Sequence, residues 1–171
     1  SNALTRCVKE FGLIDTGKIL DKARELILQT FEKSGEDVKD GMDISLLGIN
    51  IKTRKLEWSG ANNPLWYIEN GIIHECKADK QSIGKTENPQ PFTTHSLPQS
   101  ISSLYLFTDG YADQFGGDKG KKFKYSRLQQ LLFDFSKFDS EKQKQKLEHE
   151  FNYWKKDLEQ VDDVCVIGIR I

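Results

Sequence analysis

Apolar residues recur every three to four positions from Ile19 to Phe31 and then, from Ile44 onward, fall into short β-rich runs. The first pattern predicts an amphipathic helix over about 15 to 33, carrying Ile19, Leu20, Ala23, Leu26, Ile27 and Phe31 on one face, with Asp15 as its N-cap. A shorter helical fragment precedes it over residues 4 to 11. Ser34-Gly35 ends the long helix, and an acidic loop containing Glu36, Asp37 and Asp40 leads to Gly41. ISLLGINI and KLEWSGA, separated by a turn at Thr53-Arg54-Lys55, predict an antiparallel hairpin. LWYIEN and IIHECKA, joined by Asn70-Gly71, predict a second. A polar loop from Lys85 to Pro91 then gives way to two further strands, FTTHSL and SSLYLFT. Residues 110 to 122 hold four glycines among charges and predict a flexible surface loop. Helical spacing returns over Tyr125 to Phe133. It returns again from about 140 to 158, where Ser140-Glu141 caps a charged helix with Leu147, Phe151 and Trp154 on its apolar face. Val164, Val166, Ile167, Ile169 and Ile171 predict a buried C-terminal strand. Helices, a run of strands, helices and one last strand make an α+β chain whose sheets are covered by helices.

Length and composition narrow the picture. At 171 residues the chain is of single-domain size. With 37% hydrophobic and 11% aromatic residues it has the means to build a core. A net charge of -1, from 25 basic and 26 acidic residues, offers no global field for nucleic acid. No apolar run approaches the roughly 18 residues of a membrane span, and the mean hydropathy of -0.59 agrees, so no membrane contact is expected. Three widely spaced cysteines, Cys7, Cys76 and Cys165, form neither a CxxC pair nor a zinc-ribbon spacing and suit a reducing, intracellular compartment. Ser1-Asn2-Ala3 has the look of a remnant left when an affinity tag is cut off, so the domain is expected to run from residue 4 to 171.

Two acidic positions stand out by their placement. Asp109 directly follows the apolar run LYLFT and precedes Gly110, and Asp162-Asp163 directly precede the C-terminal apolar run. The 53 residues between Asp109 and Asp162 require a sheet to bring them together. Converging carboxylates repel and call for a cation, and oxygen-only ligands suit Mg²⁺ or Mn²⁺. Spacing alone equally allows Thr108-Asp109-Gly110 to be a turn and Asp162 a loop or capping residue.

Taken together, FTDGYADQFGG, Gly60-Ala61-Asn62-Asn63-Pro64, Ile83-Gly84 and the terminal DDVCVIGIRI resemble, in the family's order, the stage II sporulation protein E family of bacterial serine phosphatases. That family is a branch of the metal-dependent protein phosphatase 2C superfamily. The resemblance covers residues 4 to 171. It implies an α-β-β-α sandwich of mainly antiparallel sheets, and a Mg²⁺- or Mn²⁺-dependent hydrolase of phosphoserine or phosphothreonine. Two metal ions would share a water that attacks phosphorus in line. Asp109 and Asp162 then correspond to metal-binding aspartates with catalytic roles, Asp163 to a lower-ranked ligand, and Gly110, Asp43, Asn62, Asn63 and Gly84 to supporting positions. The implied substrate is a regulatory phosphoprotein such as an anti-sigma-factor antagonist. The implied place is a cytoplasmic domain, with a parent protein that some members anchor in the membrane.

The chain departs from the pattern in two places. The family's first metal motif, an Asp with a Gly-His-Gly-like turn, has no counterpart from Leu4 to Asp40, so an N-terminally truncated, weak or inactive domain with an exposed, homodimer-prone sheet edge is expected. Asn62-Asn63 stands where the family has His-Asn, and two Asn before Pro64 also suit a simple turn. A non-catalytic module that binds a signalling partner is the rival reading. A nucleotide-binding domain is excluded because no P-loop or GxGxxG follows a strand. Lys119, Lys121 and Lys122 read as a solvated charge run. His74, His95 and His149 share no ligand spacing. Trp58, Trp66 and Trp154 read as packing residues.

Overall fold

The structure is a computed structural model that describes residues 2–34 and 41–171, so the acidic loop of Glu36, Asp37 and Asp40 lies outside the described residues. Contacts divide the chain into two compact units, Ser1–Leu65 with Cys76–Ser100 and Trp66–Glu75 with Ile101–Ile171.

The first unit begins with α1 (Asn2–Lys9) and α2 (Thr16–Ser34). α1 starts inside the supposed tag remnant because Ala3 packs against the cluster of Cys7, Ile19, Ala23 and Leu26. Asp15 caps α2 as its spacing predicts, accepting from the Lys18 N–H at 2.9 Å, and the Thr94 hydroxyl donates to the same oxygen at 2.7 Å. β1 (Ile44–Ile49) and β2 (Leu56–Ala61) form the first predicted hairpin, with Ile44 opposite Ala61 and Ile49 opposite Leu56. β5 (His95–Ser96) lies on the other flank of β2 and is shorter than the run FTTHSL suggests. Leu20, Ala61, Ile83 and Phe92 make a second buried cluster here.

The second unit rests on a four-stranded sheet in the order β4-β3-β6-β9: β3 (Leu65–Glu69), β4 (Ile72–Cys76), β6 (Ile101–Phe107) and β9 (Val166–Arg170). Asn70 and Gly71, both at positive φ (50° and 74°), turn the β3–β4 hairpin as an Asn-Gly pair is expected to. Trp66, Tyr105, Phe107, Tyr111, Phe123, Leu128, Leu132 and Phe151 form the core, with Leu147 and Trp154 packed against it. The helices of this unit are α3 (Gly110–Asp113), α4 (Tyr125–Phe135) and α5 (Ser140–Lys155).

Three expectations are corrected in this unit. Residues 110 to 122 are ordered as α3 and a small hairpin of β7 (Phe115–Gly116) and β8 (Lys121–Lys122). Gly116 and Gly117 serve close packing there, since a Cβ on either would overlap Trp154. Asp139, rather than Ser140, caps α5, accepting from Lys142 N–H at 2.8 Å, and the helix stops at Lys155. The C-terminal strand is not buried: β9 ends the sheet with β6 on one flank, and Ile167 is 52% exposed.

Candidate functional site

Antiparallel pairing of β6 with β9 sets Phe107 opposite Val166. The chain leaves β6 into Thr108-Asp109-Gly110 at the same end at which Asp162-Asp163 lead into β9, so the sheet brings the two acidic segments together. The Thr108 hydroxyl joins them, donating to the Asp163 carbonyl at 2.8 Å while accepting from the Cys165 N–H at 2.9 Å. The Thr108 N–H adds a bond to the Cys165 carbonyl at 3.0 Å. Gly110 completes the approach, because any Cβ there would occupy the space of the Asp163 carbonyl. Asp162 turns its own carboxylate back to accept from the Asp163 N–H at 2.6 Å. Asp109 is half-buried, whereas Asp162 and Asp163 are exposed.

Tyr111, one residue beyond Gly110, is buried and donates to the Leu147 carbonyl at 2.8 Å. Burial, helped by Glu150, pushes its phenol far above the ordinary value of 10. It therefore stays neutral and serves packing rather than proton transfer.

The remaining predicted site residues lie in the first unit. Asn62 adopts the left-handed region (φ 58°) and its amide donates to Asp43 at 2.8 Å. The Asn62 N–H donates to the Asp79 carbonyl at 2.9 Å and that of Asn63 to the Ala61 carbonyl at 2.7 Å, which makes a turn before Pro64. Gly84 is buried and follows Ile83, whose backbone bonds reciprocally with Met42. Asp43 thus acts on Asn62. The sequence reading missed Thr108 as the joint between the acidic segments, although it stands inside Thr-Asp-Gly. It also missed Gln114, whose side chain bonds Glu159 and Val161 across 45 and 47 residues of chain.

The donor set at the β6–β9 end suits a hard divalent cation in kind: carboxylates and a main-chain carbonyl, oxygen only, with Gly110 leaving room for the segments to converge. In number it is incomplete. Among the described residues no three of His, Cys, Asp and Glu are arranged to hold a metal ion.

The profile of stage II sporulation protein E (SpoIIE) matches residues 5–171. The chain belongs to the SpoIIE family. Among solved structures it is similar to the SiaA-PP2C domain of Pseudomonas aeruginosa, with a TM-score of 0.83 and 22% identity over 99% of this chain and 65% of that one. It is also similar to the phosphatase domain of the cell fate determinant SpoIIE from Bacillus subtilis, at TM-score 0.57 and 13% identity over 99% and 72% of the two chains. A SpoIIE structure from the same organism, comprising the PP2C phosphatase domain and a fragment of its regulatory domain, matches at TM-score 0.67 and 13% identity over 100% and 49%. These likenesses show the fold, which is α+β and protein phosphatase 2C-like. The chain spans 65% of the length of the Pseudomonas domain. Comparison with curated protein sequences returns no match. Among the described residues no helix is long and apolar enough to cross a membrane.

Proposed function

We propose that this SpoIIE-family chain carries the greater part of a Mg²⁺- or Mn²⁺-dependent phosphatase domain acting on phosphoserine or phosphothreonine of a regulatory phosphoprotein in the bacterial cytoplasm. The observation that carries the reading is the Thr108–Asp163 joint, which holds Asp109 and Asp162 at one end of the β6–β9 pair in a chain of this family. A related structure, the Bacillus subtilis SpoIIE phosphatase domain, was obtained after presoaking with Mn, which favours Mn²⁺ as the first ion to try. In this reading Asp109 and Asp162 are ligands, Asp163 is a neighbour that orients Asp162 through its N–H, and Thr108 and Gly110 hold the spacing. A bound divalent ion would supply charge neutralisation for the phosphoryl oxygens and an activated water. The 171 residues hold no counterpart of the family's first Asp motif, so weak metal affinity and slow turnover are part of the proposal. An anti-sigma-factor antagonist is the substrate class to test first, and the outer edge of β9 is where self-association would occur.

A second reading, a non-catalytic module that binds a signalling partner, is favoured by the incomplete donor set among the described residues. Release of phosphate from a phosphoserine peptide, with and without Mn²⁺, separates the two. Slow Mn²⁺-dependent release that Asp109→Asn abolishes supports the phosphatase. Release indistinguishable from buffer at every Mn²⁺ concentration supports the module.

A further inference from the structure

Gln114 is fully buried at the C-terminal end of α3, five residues after Asp109. Its side-chain amide grips the backbone just upstream of the second acidic segment. The NH₂ donates to the Glu159 carbonyl at 2.9 Å and to the Phe115 carbonyl at 3.0 Å, and the amide oxygen accepts from the Val161 N–H at 3.3 Å. Its own carbonyl accepts from the Phe123 N–H at 2.9 Å and the Trp154 indole at 3.0 Å, so Gln114 is itself held in place from α5 and from the residue that follows β8. Thr108 ties the same segment downstream, at Asp163 and Cys165. Both acidic positions therefore lie between two ties. Asp109 falls between Thr108 and Gln114 on one segment, and Asp162 falls between Val161 and Asp163 on the other.

We infer that Gln114 is a positioning residue whose buried amide sets where Asp162-Asp163 stand relative to Asp109. A single tie at Thr108 would leave residues 159–162 free to pivot, and the second tie removes that freedom. A primary amide suits the task because it offers a donor to a carbonyl and an acceptor to an N–H two residues further on. A carboxylate lacks the donor, and an apolar side chain would leave both backbone groups unpaired. The consequence for metal binding rests on the function proposed above, whereas the positioning itself does not.

Two variants test this. Gln114→Leu removes the tie. Gln143→Leu removes another buried amide of the same unit, one that accepts from the Tyr105 hydroxyl and donates to the Phe138 carbonyl and has no bond to 159–165. Amide hydrogen exchange of Asp162 and Asp163, read by NMR, should speed up about tenfold or more in Gln114→Leu relative to Gln143→Leu. Equal exchange in the two overturns the inference. Should Gln114→Leu not fold, Gln114→Glu replaces it. Exchange at Asp162 and Asp163, taken as a ratio to the unmodified chain at the same pH so that titration of Asp162 itself cancels, should slow as the pH falls and the protonated acid regains a donor for Glu159, and a flat ratio overturns the inference. Mn²⁺ calorimetry on the same proteins addresses the proposed function separately. If the unmodified chain binds no Mn²⁺, the metal reading falls while the exchange data still decide the role of Gln114.

Discussion

Gly110 and Asp163 are packed so closely that the carbonyl oxygen of Asp163 takes the place a side chain on Gly110 would need. The backbone of Gly110 does not occupy the left-handed region, so space, and not conformational freedom, is what the position demands. Gly110→Ala should therefore push the Asp162-Asp163 segment away from α3 and cost about 1–3 kcal/mol, as overpacking does. Urea unfolding monitored by tryptophan fluorescence measures the loss. A midpoint equal to that of the unmodified chain would show that the two segments are not held together.

Thr108 makes the side-chain part of its joint through the hydroxyl, beside the backbone bond from its N–H to the Cys165 carbonyl. Thr108→Ser should keep the bonds to the Asp163 carbonyl and the Cys165 N–H, whereas Thr108→Val, of nearly the same shape, should lose both and cost about 1–3 kcal/mol. The comparison of the two variants in denaturant separates the hydroxyl from the methyl group.

Far from the acids, Asp15 supplies a pH-dependent contribution. Bonds from the Lys18 N–H and then the Thr94 hydroxyl hold its carboxyl below the ordinary value of 3.8. Its contribution is thus fully present above that value and is lost as the pH falls through the lower folded value. Asp15→Ala should cost about 1 kcal/mol at neutral pH, the usual worth of an N-cap. The difference between the two proteins should shrink on the acid side of 3.8. Thermal melts across that range check both statements, and a difference that grows with acid would contradict them.

How much of this was legible in the sequence depends on the range of the physics involved. The Asn70-Gly71 turn and the Asp15 cap are local chemistry and are where the residues say they are. The α5 cap was misplaced by one residue because Asp139 and Ser140 are both good caps and the choice between them is geometric. Residues 110 to 122 looked flexible because glycine is as common in loops as in close packing, and only the structure reveals Trp154 against Gly116 and Gly117. The apolar run of β9 suggested burial, but β9 stands at the edge of the sheet with β6 on one flank, and much of its length stays exposed. Within the site, the acids at the strand ends could be picked out because their setting is written next to them. The ties at Thr108 and Gln114 span 45 to 57 residues and leave no local trace.

The most direct test of the account is Mn²⁺ titration by calorimetry of the chain, of Asp109→Asn and of Asp162→Asn. The account predicts weak binding by the unmodified chain and a loss of about tenfold or more in affinity in each variant, since the proposed function makes both carboxylates ligands. Binding that survives both substitutions unchanged, or no binding by the unmodified chain at millimolar Mn²⁺, would contradict it.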